Sequence, residues 1–158
     1  MIDVIEILPR GGFDTGLASG TLVLDHDLRH RRRIVFMGPD GAQVRLNEAR
    51  PVQLRGGDGL RLADGRVLLV EAAGEPLLEI TAPALAELVR IAWHLGNRHL
   101  PTQLMGEALR VREDHVIAHM VEGLGGCVRR VTAPFDPEGG AYSEGFGGGH
   151  HHEHQDHA

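Results

Sequence analysis

The sequence is poor in several residue types, and each shortage restricts what the chain can be. It contains one cysteine, Cys127, so an intramolecular disulfide and a CxxC motif are both excluded. Aromatic residues make up only 4% of the chain, and all 16 basic residues are arginine. No run of about 18 apolar residues occurs, and the first residues lack the basic and apolar regions of a signal peptide. We therefore expect a soluble, cytoplasmic protein.

Motifs of common catalytic sites are also missing. The sequence has no HExxH, no GxSxG, no GxGxxG and no phosphate-binding loop ending in Lys-Ser/Thr. Cys127 stands beside Val128 in a predicted strand, which indicates a packed thiol rather than a nucleophile. These absences predict that the protein is not an enzyme.

Positive charge is absent from the end of the chain. The formal net charge is -6, and residues 133–158 hold five acidic residues and no arginine. An acidic segment repels nucleic acid and anionic membranes and attracts cations. Neither nucleic acid nor a membrane is therefore expected as a partner. The arginine-rich residues 29–33 are interpreted as a solvated turn and strand edge, the alternative being a contact for an acidic partner.

The first 75 residues are predicted to form a small all-β domain of the partner- or peptide-binding type. Glycine-rich turns interrupt short segments with strand character. These segments are residues 4–8, 21–24, 33–37, 42–46, 59–62 and 66–71. Asp64 and Gly65 predict a hairpin between the last two segments, since Asp-Gly tolerates the positive φ angles of tight turns.

Residues 76–142 show a different order of elements. The predicted elements are a strand at 76–81, a helix with Pro83 in its first turn and Gly96 just past its end, strands at 102–105 and 108–112, a helix from Asp114, its N-cap, to Leu124, and a strand at 127–132. This β-α-β-β-α-β order predicts a ferredoxin-like domain, so the whole chain is classed as α+β. Residues 143–158, called the His-rich tail below, are expected to be disordered.

Histidine is the residue that the chain has in excess. Of 11 histidines, five lie in the last nine residues: His150, His151, His152, His154 and His157. Imidazoles interleaved with carboxylates predict metal binding, and neutral imidazole suits nickel, copper and zinc. The alternative is a purification tag, but a tag is usually an uninterrupted run of histidines. The tail carries its ligands on a glycine-rich segment, so we expect moderate affinity and easy release.

Two further histidines lie on the second predicted helix. At about 100° per residue, the apolar face of this helix, which includes Val116 and Ile117, is roughly 140° wide. His115 points about 170° from the centre of that face and His119 about 130°, so neither should be buried in the domain's own core. The spacing i, i+4 allows both to reach one ion. Ordinary exposed polar residues are the alternative interpretation.

Three motifs, in order, together with the His-rich tail, resemble the UreE family of urease accessory proteins. They are HLGNRHLPTQ (residues 94–103), DHVIAHM (114–120) and APFDPEGGAY (133–142). The resemblance implies a homodimeric nickel metallochaperone that delivers Ni(II) to apo-urease, working with the urease accessory GTPase. It also implies that His115 of two copies meets at the dimer interface and shares an ion. His119 and the tail histidines are then the candidates for further ligands.

The resemblance leaves some questions open. Some relatives carry histidines on the last strand, where this chain has Arg129, Arg130 and Thr132, so fewer ions per dimer are expected. Zn(II) or Cu(II) can bind the same sites, and dimers could pair into a metal-linked tetramer. A general metal buffer or storage protein is the main alternative function, and a protein-interaction module is a third. His26, His30 and His94 are interpreted as ordinary surface or packing residues, and His99 is left undecided.

Overall fold

The computed structural model of the protein describes residues 1–139. Its elements are, in order, β1 (Ile2–Leu8), a 3-10 turn (Thr15–Leu17), β2 (Gly20–Leu24), α1 (His26–Arg29), β3 (His30–Met37), β4 (Gln43–Gln53), β5 (Gly59–Leu62), β6 (Val67–Ala72), β7 (Gly74–Thr81), α2 (Leu85–Asn97), β8 (Gln103–Leu104), β9 (Leu109–Arg112), α3 (His115–Gly123) and β10 (Cys127–Pro134). Strands predominate, and the fold is α+β.

The first domain is a six-stranded mixed sheet in the order β2-β6-β5-β1-β4-β3. Two pairs, β1 with β4 and β2 with β6, are parallel, and the remaining neighbours are antiparallel. All six strands contribute apolar side chains to one core, in which Leu46, Leu60 and Leu62 have no solvent exposure. The predicted hairpin is present, with Gly65 at a φ of 90° and its N–H donating to the Leu62 carbonyl.

The second domain is a four-stranded antiparallel sheet in the order β10-β7-β9-β8, with α2 and α3 packed against it. Both helices share one core with the sheet, since Leu88 and Ile91 of α2 and Ile117 and Val121 of α3 pack together with residues of β7 and β9. The observed order of elements is the one that the sequence predicted, β-α-β-β-α-β.

Both ends of α2 and the position of Cys127 differ from the sequence predictions. Pro83, predicted in the first turn, precedes the N-cap Ala84. α2 runs one residue beyond Gly96, because the chain leaves the helix at His99, whose φ is 56°. Cys127 is exposed rather than packed. Side chains alternate along a strand, and Val128 takes the core-facing position in β10, so its neighbour faces the other side.

The first domain is not purely β, because it contains the single-turn helix α1. The Asp25 carboxylate caps this turn by accepting from the Leu28 N–H at 2.8 Å. Arg29, predicted to lie in a solvated cluster, is fully buried. Its guanidinium donates to three backbone carbonyls, those of Leu24, Leu54 and Phe135, so burial is compensated by hydrogen bonds.

The segment after β10 joins the two domains. Phe135 is fully buried, and its ring meets that of His26 edge-on at 5.2 Å. Asp136 forms an ion pair with Arg55 of the first domain, while its backbone N–H donates to the Gln103 side chain of the second domain. Residues 134–137 (PFDP) of the third sequence motif therefore join the two domains.

No helix within residues 1–139 combines the length and the apolar character needed to cross a bilayer.

His26, which lies at the joint between the domains, should make the free energy of unfolding depend on pH. Burial, with Arg112 and Arg29 nearby, lowers the pKa of His26 to about 4. In the unfolded chain this pKa is near 6.5, so between these values the unfolded state binds a proton that the folded state does not. The contribution to stability is complete above pH 6.5 and is lost as the pH falls towards 4, by about 3 kcal/mol. Urea unfolding with a chelator present measures this loss.

The matched variant is His26→Phe, which keeps the ring against Phe135 but cannot titrate. The wild type should lose about 3 kcal/mol more than this variant between pH 7.5 and 4. Equal losses in the two proteins would contradict the assignment to His26.

Candidate metal centre

The start of α3 is fixed by its N-cap. The Asp114 carboxylate accepts from the Val116 N–H at 2.8 Å and from the Ile117 N–H at 3.1 Å. This capping satisfies two of the backbone donors that a helix start leaves free. It confirms the predicted cap and makes His115 the first residue of the helix, in a defined position.

Both histidines of α3 lie off the buried face of the helix. Ile117 and Val121 are 6% and 0% exposed, and His115 and His119 are exposed. The prediction that neither histidine belongs to the domain's own core is confirmed. Val116, which the sequence placed on the buried face, is 53% exposed, because the helix contacts the sheet over a narrower arc than its apolar residues span.

The exposed imidazoles of α3 have no partners within the described chain. Neither His115 nor His119 makes a hydrogen bond or an ion pair with any of residues 1–139. They are one helical turn apart, and an i, i+4 pair lies on one side of a helix. Their nitrogens are therefore available to an ion or to a second molecule.

One copy of the described chain does not assemble a full set of ligands. Among residues 1–139, no three His, Cys, Asp or Glu side chains are placed to hold one metal ion. The tail histidines that the sequence proposes as ligands, His150, His151, His152, His154 and His157, lie outside the described residues. A metal centre at His115 would need ligands from the tail or from a second copy of the chain.

The other helix of this domain, α2, carries an exposed apolar strip. Leu85, Val89 and Trp93 recur at every fourth residue and are 72%, 59% and 64% exposed. The apolar residues whose spacing predicts this helix include these three as well as Leu88 and Ala92. The buried side of the helix is formed by Leu88, Ile91 and Leu95. The helix therefore presents one apolar face to the core and a second one to the outside.

A cleft between the domains is lined by His26 and His30, interpreted from the sequence as surface or packing residues, and by His99, which the sequence left undecided. His26 and His30 come from the first domain, and His99 comes from the loop after α2. No local pattern brings residues 26 and 99 together, since only the joint between the domains does so. The one local signal is GNRH itself, in which a histidine follows the helix end.

The geometry defines a two-domain α+β protein with unpartnered imidazoles on the outer side of its second domain. The profile described as UreE urease accessory protein, N-terminal domain, matches residues 4–73, and that of the C-terminal domain matches residues 75–158. The chain belongs to the UreE family of urease accessory proteins.

Individual relatives agree with the family profiles. A urease accessory protein UreE of Rhodopseudomonas palustris (strain BisB18) is 59% identical over 126 residues, covering 80% of this chain and 60% of the relative. The UreE of Beijerinckia indica is 47% identical over 151 residues, covering 96% and 86%, and that of Rhodobacter capsulatus is 40% identical over 147 residues, covering 93% and 90%. The chain spans only about three fifths of the Rhodopseudomonas relative.

Proposed function

We propose that this chain is a nickel metallochaperone that delivers Ni(II) to apo-urease during assembly of the urease metal centre. Family membership supports a role in urease assembly. The observation that carries the nickel role is His115, an exposed and unpartnered imidazole held at a capped helix start. Imidazole nitrogen is a good ligand for Ni(II), and also for Zn(II) and Cu(II), which can bind the same site.

We propose a homodimer in which His115 of each copy binds the same ion. A two-fold axis through one ligand position supplies two imidazoles from a single residue of sequence. The apolar strip of α2 and exposed Val116 supply surface that a second copy would bury. His119, one turn from His115, or the tail histidines would complete the coordination, and two dimers could also pair around an ion.

The two domains would have different roles in nickel delivery. The β-α-β-β-α-β order and the strand order of the second domain support a ferredoxin-like class for residues 76–142, which would bind metal and dimerise. Residues 1–75 would contact partners, of which the urease accessory GTPase and the apo-urease complex are the expected ones. The His-rich tail would capture ions and pass them on by ligand exchange, so that no step requires a bare ion.

The test is urease maturation in cells at limiting nickel. Replacing the wild type by His115→Ala should reduce urease activity several-fold, and added nickel should restore it, because delivery rather than the urease itself is impaired. His94→Gln is the matched control, since His94 is not among the proposed ligands and its replacement should leave maturation unchanged. Normal maturation by His115→Ala, with nickel still bound to the tail, would instead favour the metal-storage function.

A further inference from the structure

The sheet of the first domain leaves a groove open between its two outermost strands. In the order β2-β6-β5-β1-β4-β3, β2 pairs with β6 and β3 pairs with β4, and within residues 1–139 neither has a second neighbour. Residues of both strands nevertheless line one groove of about 270 Å³, among them Val23 of β2 and Val35 and Met37 of β3. Each strand therefore presents one free edge of backbone groups beside this groove.

The groove is bounded at both ends. The short helix α1 connects β2 to β3 and places Leu28 at one end. At the other end Pro39 lies against Gly20, where a Cβ would come within 2.8 Å of the Pro39 ring. The strand β2, which runs between these ends, is five residues long. The groove therefore matches an extended segment of about five residues, which spans about 17 Å.

The side chains along the groove are apolar and exposed. Val23, Val35 and Met37 are 60%, 50% and 65% exposed, and Leu28 is 38% exposed. Phe36 is buried in the core instead, as the alternation of side chains along a strand requires. Proteins commonly protect a free edge with charged side chains, but residues 34–37 carry none. This stretch of edge is therefore suited to contact with the apolar side chains of another segment.

The groove has positive charge at the start of β3. Arg32 and Arg33 form no ion pair with any residue that the structure describes. The register with β4 is regular from Arg33 to Met37, so Arg33, Val35 and Met37 share one face of the strand. One of the two interpretations of this arginine-rich stretch from the sequence is a contact for an acidic partner. An acidic side chain opposite Arg33 would supply a counter-charge that residues 1–139 do not provide.

A second copy of the chain would not supply this counter-charge through the same edge. The strand β3 contains three arginines and no acidic residue. Two copies paired through β3 would therefore bring together three arginines from each copy, with no carboxylate from either strand. Like charges on neighbouring strands are destabilising. Charge complementarity favours a segment of another protein in which acidic residues stand next to alternating apolar ones.

We propose that the free edge of β3 binds an extended segment of a partner protein, with alternating apolar and then acidic residues, by strand addition. The backbone of the segment would pair with β3, its apolar side chains would contact Val35 and Met37, and an acidic side chain would face Arg33. Backbone hydrogen bonds provide affinity in this mode of binding, and the side chains provide specificity. The inference rests on the proposed function, in which residues 1–75 contact partners, and gives that contact a place and a chemistry.

The test is an NMR titration of the full-length, metal-free protein with a synthetic peptide. The probe is acetyl-Val-Thr-Val-Thr-Glu-Glu-amide, which places a glutamate opposite Arg33 when it runs antiparallel to β3 with its first valine opposite Met37. We expect saturable shifts of amide signals in β2 and β3, with a dissociation constant of about 1 mM or lower. Exchange of alternate β3 amides with solvent should slow at saturation, because paired amides are protected.

Reversing the charge separates the acidic contact from a general affinity for apolar peptides. Arg33→Glu should weaken binding of the glutamate peptide about 3-fold or more and should strengthen binding of the same peptide ending in two lysines. The gain with the lysine peptide also shows that the variant is folded. Arg98→Glu makes the same change of charge at the exposed end of α2, on the second domain. It is the matched control and should leave both affinities as in the wild type.

Several results would overturn strand addition at β3. They are the absence of saturable shifts up to about 10 mM peptide, shifts confined to other strands, binding without slower exchange in β3, and equal affinities of Arg33→Glu for the two peptides. Shifts of β3 signals with protein concentration alone would show that a second copy occupies the edge, which also contradicts the proposal.

The titration is independent of the nickel role. The protein is free of metal and no urease is present, so failure of the peptide to bind would leave the proposed site at His115 untouched. Normal urease maturation by His115→Ala would contradict the nickel role and would not change peptide binding at β3.

Discussion

His115→Ala is expected to abolish the proposed interfacial nickel site. In the proposed dimer one substitution removes two imidazoles from a single ion, because both copies contribute the same residue. Loss of a residue that merely supports a metal ligand weakens binding about 10- to 100-fold, so loss of two ligands should exceed about 100-fold. Calorimetric titration with nickel should therefore show one tight transition fewer per dimer.

The effect should be specific to the first turn of α3. His119→Ala removes an exposed imidazole from the same helix and should weaken binding less, because in the proposed dimer His119 would complete the coordination rather than form the shared pair. His94→Gln should titrate as the wild type. Truncation after Gly149 should lower the number of weakly bound ions and leave the dimer intact. A titration of His115→Ala that overlays the wild type would exclude the interfacial site.

Repeating the nickel titration at several pH values tests which type of side chain binds the ion. Imidazole must be neutral to bind a metal, so nickel affinity should fall as the pH is lowered through about 6.5, the ordinary pKa of histidine. A site built from carboxylates would keep its affinity down to about pH 4.

Local chemistry explains which parts of the fold could be read from the sequence. Asp114 caps α3, and Asp64-Gly65 forms the hairpin turn. Both could be predicted because each hydrogen bond joins residues no more than three positions apart. The exposure of His115 follows from the helical period alone. Val116 shows the limit of that argument, because how much of an apolar arc is buried depends on the surface that the helix meets.

Features that depend on remote contacts could not be read in this way. The parallel pairing of β1 with β4 joins strands about 40 residues apart, and no short-range signal specifies it. The cleft has the same origin, since His26 and His99 are brought to it by separate domains. The left-handed backbone of His99 was not predicted, because Gly96 is the more common kind of residue at a helix end. The helix continues past Gly96.

Arg29 is the clearest case of such a remote dependence. Within an arginine-rich stretch it looks like its solvated neighbours, but its partners come from residues 24, 54 and 135. The Glu75 carboxylate lies 4.0 Å from the guanidinium and supplies the opposite charge. Burial lowers the pKa of the Arg29 guanidinium, which still remains protonated because an arginine is not deprotonated in proteins.

Replacing Arg29 by methionine should be among the most destabilising single changes in the described part of the chain. Methionine fills similar space but leaves three carbonyls without their donor and the partly buried Glu75 without its cation. Removing one partner of a buried charged network costs about 3 to 5 kcal/mol, so the free energy of unfolding should fall by that amount. Urea unfolding with the metal removed measures it.

Arg32→Met is the matched control, because Arg32 belongs to the same stretch but is exposed on β3. Surface substitutions of this kind usually change stability by less than about 0.5 kcal/mol. Because Arg29 ties α1 to the Phe135 carbonyl, its loss should also make the chain near residue 135 more open to proteolysis than in Arg32→Met. A loss below about 1 kcal/mol in Arg29→Met would mean that the guanidinium does not hold the joint together.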